Sequence, residues 1–191
     1  MQQWNFPSRA DCLACHNSAA QFTLGLRTRQ LNRAQRYGTE TANQLEHLTK
    51  LGIFAQAPPA NSGRLEQYPQ WPEQVAGSLA PPASMTALAR AYLDANCALC
   101  HTPGGPSNSG VDLRFHTPLE QPGLLNAAPA KGRLGPAEGA LLTPGKPELS
   151  ELYLRFKVRG EGQMPPFASN LVDEQARALI EAWIKSLGMG R

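Results

Sequence analysis

The clearest periodic pattern in the chain lies near its end. Val172, Ala176, Leu179, Ile180, Trp183, Ile184 and Leu187 recur at intervals of three and four, which predicts one amphipathic helix over 172–187. Asp173 and Glu174 fall in its first turn, where the positive end of the helix dipole favours carboxylates. A second stripe, Leu88, Tyr92, Ala95 and Leu99, predicts a helix that begins near Ser84 and runs directly into Cys97 and Cys100. The two apolar faces are expected to cross. Another helix is expected over 148–158, and a shorter one over 41–51, closed by Gly52, with Leu45 and Leu48 on its apolar side. A short helix from about Arg9 is announced by Ser8 and Asp11, a variant of the capping box with Asp in place of Glu. Elsewhere the pattern fades. Residues 55–83, with Pro58-Pro59 and Pro81-Pro82, read as a wrapping linker with little regular structure, and residues 111–149 read as irregular.

Composition explains why so little is periodic. The 191 residues include seventeen Gly and seventeen Pro and are only 41% hydrophobic, which predicts many loops around a thin core. No stretch is long and apolar enough to cross a membrane.

All four cysteines fall in two copies of one pattern, Cys12-Leu13-Ala14-Cys15-His16 and Cys97-Ala98-Leu99-Cys100-His101. This is the C-x-x-C-H motif of covalent haem attachment. Its two thiols add across the two vinyl groups of one haem and the adjacent His sits beneath the iron, so all three must share one short turn. Two covalently attached c-type haems account for every cysteine. Zinc pairs so far apart would need secondary ligands, and thiol exchange would call for a βαβ setting that this pattern lacks. The same accounting sets aside a structural disulfide. Buried porphyrins would supply the missing apolar core, so the haem-free chain is expected to be poorly folded. The formal charge of +3 has no basic run behind it, and four propionates would bring it near neutrality, which excludes nucleic acid as a partner.

Each iron needs a second ligand from elsewhere. Met164 is the candidate at the second motif: a soft thioether favours ferrous iron and raises the potential, and Pro165-Pro166 hold the loop behind it extended. A carbonyl of the Pro103–Pro106 loop is expected to accept the free N–H of His101. At the first motif three readings stay open, with His47, Met85 or no strong ligand on the iron. Against the first two, His47 reads as solvent-facing and Met85 shares the core face of Leu88 and Tyr92. His116 reads as a surface residue. Trp4 and Phe6 are either haem-edge packing or ordinary core. Arg27, Arg29 and Arg33 either pair with propionates or decorate a solvated loop.

The span 84–187 resembles a class I cytochrome c. The resemblance rests on the helix into Cys97-Cys100-His101, the Gly/Pro loop, Gln163-Met164-Pro165-Pro166 and the terminal helix with Trp183-Ile184. It implies a three- to five-helix fold wrapped round a covalent haem, with His101 as proximal and Met164 as distal ligand. The whole chain is also similar to a group of bacterial secreted dihaem proteins, on the stretches Phe6–Cys12 and Gly25–Asn32. Some of these are modules of larger secreted redox proteins. The first half departs from the cytochrome pattern, having no Met-Pro between His16 and the second half.

The expected architecture is mainly α, with two small cytochrome c-like haem domains and long Pro/Gly-rich loops. The first domain with its linker would cover 1–83 and the second 84–191. The expected function is transfer of single electrons between redox partners outside the cytoplasm. The partner would be a redox protein, or a docked or fused secreted oxidoreductase such as a dehydrogenase or copper enzyme. The alternative is a peroxidase-like or gas-binding enzyme or sensor that uses an open or weakly ligated first haem. Haem attachment to C-x-x-C-H takes place outside the bacterial cytoplasm, so a periplasmic or secreted protein is expected. Met1-Gln2-Gln3-Trp4 opens without a basic and then apolar leader. Either a leader has been removed or the chain is a piece of a longer exported polypeptide, and the second is preferred.

Overall fold

The computed structural model of the chain describes residues 4, 6–56, 65–70, 82–121 and 123–189. Its elements in chain order are α1 (Arg9–Cys15), α2 (Thr28–Leu31), β1 (Ala34–Tyr37), β2 (Glu40–Asn43), α3 (Gln44–Lys50), α4 (Pro82–Asn96), α5 (Glu151–Phe156) and α6 (Glu174–Ser186). A 3-10 turn, Pro147–Leu149, precedes α5. The regular structure of the described residues is thus mainly helical, with one two-stranded hairpin, and the rest is turns and loops. The chain divides into two compact units, Met1–Leu24 with Trp71–Arg191, and Gly25–Gln70. This division does not follow the expected boundary after residue 83, since the N-terminal segment groups with the second half.

In the larger unit α4 and α6 form the core. Ala89 and Leu93 of α4 and Ile180, Trp183 and Ile184 of α6 are buried in one cluster with Ala98, Val111, Leu113, Leu124, Leu142 and Tyr153. The two helices meet as expected, but α4 enters this cluster through Ala89 and Leu93, one position on from the expected stripe of Leu88, Tyr92, Ala95 and Leu99. Trp183, fully buried, also donates its indole N–H to Thr86 Oγ1 at 3.2 Å, so the one polar atom of the ring is satisfied. Helix α6 starts at Glu174 because the Asp173 carboxylate accepts from Ala176 N at 3.0 Å and caps it. The helix expected over 148–158 is instead a 3-10 turn followed by α5. Ser150 breaks it: the residue is extended, and its hydroxyl donates to Lys146 O at 2.8 Å and accepts from Thr143 N at 2.9 Å. The described residues of 111–146 carry isolated bridges, Leu125 with Leu142 and Ala140 with Ser150, and otherwise form turns and loops.

Helix α1 has the expected capping box, with Ser8 Oγ accepting from Asp11 N and the Asp11 carboxylate accepting from Ser8 N. None of its residues is buried. Trp4 and Phe6 are 60% and 88% exposed, so the reading of them as core residues is corrected.

The smaller unit holds a hairpin that periodicity does not announce. β1 and β2 pair antiparallel, Ala34 opposite Asn43 and Tyr37 opposite Glu40, around a turn in which Gly38 has a φ of +62°. The helix expected over 41–51 therefore starts late. Residues 41–43 belong to β2, and the Asn43 side chain caps α3 by accepting from Leu45 N at 2.9 Å. Buried Asn32 joins Leu65 O at 2.8 Å and Asn43 Nδ2 at 2.9 Å. Most of the expected linker, 57–64 and 71–81, lies outside the described residues, and Pro82 and Ala83 belong to α4.

Candidate haem site

The second motif is wound as the continuation of α4. Cys97 N and Ala98 N both donate to Leu93 O, and His101 N donates to Cys97 O at 2.9 Å. Helical winding puts Cys97, Cys100 and His101, at positions i, i+3 and i+4, on one face, while Ala98 turns into the core at 2% exposure. The chain then folds back sharply. A Cβ on Gly105 would lie 2.3 Å from Cys100 O, so only glycine admits this close approach. Leu113 N donates to His101 O at 2.9 Å and holds the returning strand against the motif.

That face opens on a cavity of about 360 Å³. Cys97, Cys100 and His101 line it, as does Met164 with Pro165 and Pro166. Leu93, Val111, Leu124, Leu141, Phe156 and Ile180 supply apolar wall. Two residues 63 positions apart, His101 and Met164, are thus brought to one largely apolar cavity. The Met164 loop is built by its neighbour. Gln163 accepts from Gly160 N at 2.6 Å and donates to Pro165 O at 2.7 Å and Ser169 O at 3.1 Å, while Met164 N donates to Arg155 O at 3.0 Å. The peptide between Met164 and Pro165 is cis.

Burial pushes the Cys97 thiol up to about 12, and burial followed by the neighbouring Cys15 pushes Cys100 up to about 11. Burial lowers His101, which keeps its imidazole neutral and its ring lone pair free to bind a metal. The ring's Nδ1 lies 3.0 Å from Ser109 Oγ. The expected carbonyl of the Pro103–Pro106 loop is therefore replaced by a hydroxyl from the next turn. Ser107-Asn108-Ser109-Gly110 carried the signal, a polar turn sequence bearing two hydroxyls within reach of the histidine.

The first motif is a similar turn at the end of α1, with His16 N donating to Cys12 O at 2.8 Å. Its Nδ1 lies 2.7 Å from a backbone carbonyl, that of Phe22. Cys12 and His16 are exposed, but Cys15 Sγ lies 3.9 Å from Cys100 Sγ, and Ala14 lines the cavity of the second motif. Of the other candidates, Met85 is half-buried against the core and His47 stacks on Tyr37, ring centroids 3.6 Å apart. Arg29 pairs with Glu66, its Nε donating to Oε2 at 2.7 Å. His116 packs edge-on against Phe115. Among the described residues no group of three or more His, Cys, Asp or Glu is arranged to hold a metal ion by itself.

A thiol pair and a histidine beside an apolar cavity, with a thioether also lining it, is a donor set suited to covalent haem. Residues 83–183 match the family described as cytochrome c oxidase, cbb3-type, subunit III. The chain belongs to that family. Its second half is a c-type cytochrome domain, which implies covalently attached haem and supports haem-based electron transfer with redox partners. Cytochrome c domains are often extracytoplasmic, and no helix among the described residues is long and apolar enough to cross a membrane. No curated protein and no solved structure matches the chain.

Proposed function

We propose that the chain is a dihaem c-type cytochrome that carries single electrons between redox partners outside the cytoplasm. One haem would be held by Cys97, Cys100 and His101 with Met164 as its second ligand, the other by Cys12, Cys15 and His16. The observation that carries the reading is that His101 and Met164 line one cavity whose wall is largely apolar. Bound haem supplies a one-electron iron couple there, with no bond made or broken in a substrate. The chain's part is ligation and environment. His101 presents a neutral ring nitrogen, fixed in orientation by Ser109, and Met164 presents a soft sulfur that favours the reduced iron. The apolar wall excludes water and disfavours added charge. The near contact of Cys15 and Cys100 supports reading both motifs as parts of one redox unit.

The partner, by the chemistry of single-electron carriage, is another redox protein or a docked or fused secreted oxidoreductase such as a dehydrogenase or copper enzyme. Periplasmic or secreted location follows from where such haems are attached. A second reading makes the first haem reactive or gas-binding. It is favoured by the positions of the candidate ligands, since Met85 is used in the core and His47 in a ring stack.

Two measurements test these readings. The intact mass should exceed that of the polypeptide by two haems; an excess of one overturns the dihaem assignment. The spectrum of the dithionite-reduced protein should not change with carbon monoxide if both irons are well ligated. Binding to about half the haem transfers the lead to the second reading.

A further inference from the structure

The Met164 loop has a strut that haem attachment does not require. Arg155, on α5, is only 18% exposed although its guanidinium is charged. Its donors reach three different stretches of chain. Nη1 donates to Gly162 O at 3.2 Å, and Nη2 donates to Lys131 O at 3.0 Å and Gly132 O at 3.1 Å. Nε lies 3.2 Å from Glu151 Oε2, an ion pair one helical turn back. Glu151 is 1% exposed, and its other oxygen accepts from Leu134 N at 2.8 Å and Gly135 N at 2.9 Å. Leucine side chains also pack closely over both loops. A Cβ on Gly162 would lie 2.7 Å from Leu134 Cδ2, and one on Gly135 would lie 2.4 Å from Leu154 Cδ1. Both charged side chains line the cavity that holds His101 and Met164.

We infer that Arg155 and Glu151 are positioning residues for Met164. The inference rests on the reading of Met164 as an iron ligand and deepens it. A buried pair of this kind contributes little to net stability but defines geometry strongly, because removing one partner strands the other. Arg155 fastens the segment two residues before Met164 to the 131–135 loop, while Glu151 fastens that loop to α5 and aims the guanidinium. The thioether is thereby held at the cavity by a frame that resists its withdrawal. A planar fork with donors on two separated nitrogens serves the Gly162, Lys131 and Gly132 carbonyls while keeping its charge beside Glu151, and a lysine ammonium does not.

The test uses the ferric holoprotein and follows the weak Met-to-iron charge-transfer band while imidazole displaces the thioether. Met164→Ala should abolish the band. Arg155→Lys should keep the band but raise the displacement rate about tenfold, as expected for the loss of one or two charge-assisted bonds. The potential of that haem should fall, while the helical circular dichroism stays at the wild-type level. Glu151→Gln, nearly isosteric, should give a smaller acceleration in the same direction and serves if Arg155→Lys fails to fold. A wild-type displacement rate in the folded variant, with the band present in wild type and lost in Met164→Ala, overturns the positioning role alone. A band absent from wild type overturns the ligand reading and this inference with it.

Discussion

Both C-x-x-C-H turns close the end of a helix and bring two thiols and an imidazole to one face, but their surroundings differ. The first lies in the last turn of α1, seven residues with none buried, and leaves Cys12 and His16 exposed. The second follows α4, fifteen residues whose Leu88, Ala89, Ala91 and Leu93 are buried, and opens on a cavity walled by several further segments of the chain. Attachment chemistry is local, because helical winding alone supplies the i, i+3, i+4 face. A ligand pocket is not local. It needs a helix long enough to bury one face and a returning chain that places a second donor opposite.

The largest test of that contrast removes each thiol pair in turn. Cys97→Ala with Cys100→Ala should lose one haem by mass and most of the cooperative unfolding of the chain, since the cavity would then face solvent unfilled. Cys12→Ala with Cys15→Ala should also lose one haem but keep the helical circular dichroism. Equal collapse in both would show that the first motif supports the core as strongly as the second.

Next in size is the core behind the second motif. Trp183 is fully buried against α4, so Trp183→Ala should cost about 3–5 kcal/mol in denaturant unfolding. Phe6, beside the first motif and 88% exposed, should change the same transition by less than about 0.5 kcal/mol when replaced by Ala. A large effect of Phe6→Ala in the holoprotein would show that a haem at the first motif covers this ring.

A potentiometric titration then separates the irons. Met164→Ala should lower one of two potentials by on the order of a hundred millivolts or more, and leave the other nearly in place. A single unresolved shift of both would mean that the motifs titrate as one coupled unit, for which the 3.9 Å approach of Cys15 and Cys100 gives a physical route.

What was legible in the sequence follows the same division. The α6 stripe, the Ser8–Asp11 cap and the thiol spacing are short-range signals, and each has a period or offset that physics prescribes, whereas the α4 stripe found the helix but not the face that meets α6. Met164 stands out in the sequence because Met-Pro-Pro after two glycines is an unusual loop, and it lines the cavity of the second motif. The hairpin over 34–43 was not legible, since Ala-Gln-Arg-Tyr and Glu-Thr-Ala-Asn have no alternating apolar face and little β-branching. Arg155 and Glu151 were not either. A Glu and an Arg four apart on a helix usually mark a solvated surface pair, and only the loops folded over them make them buried.

The smallest effect discriminates most finely. With His101 bound through Nε2, its Nδ1 must carry the proton and donate to Ser109 Oγ. That bond gives the ring partial imidazolate character, which stabilises ferric iron. Ser109→Ala removes the acceptor, so the potential of the second haem should rise. One hydrogen bond is worth about 1 kcal/mol, which for a single electron is roughly 40 mV. The first motif offers no equivalent handle. His16 Nδ1 faces the main-chain carbonyl of Phe22, and Phe22→Ala leaves that carbonyl where it was. The expected pattern is therefore a rise in one potential for Ser109→Ala and none in the other for Phe22→Ala. A fall on removing Ser109 would mean that its hydroxyl donates to Nδ1, which a neutral His101 bound to iron through Nε2 does not allow.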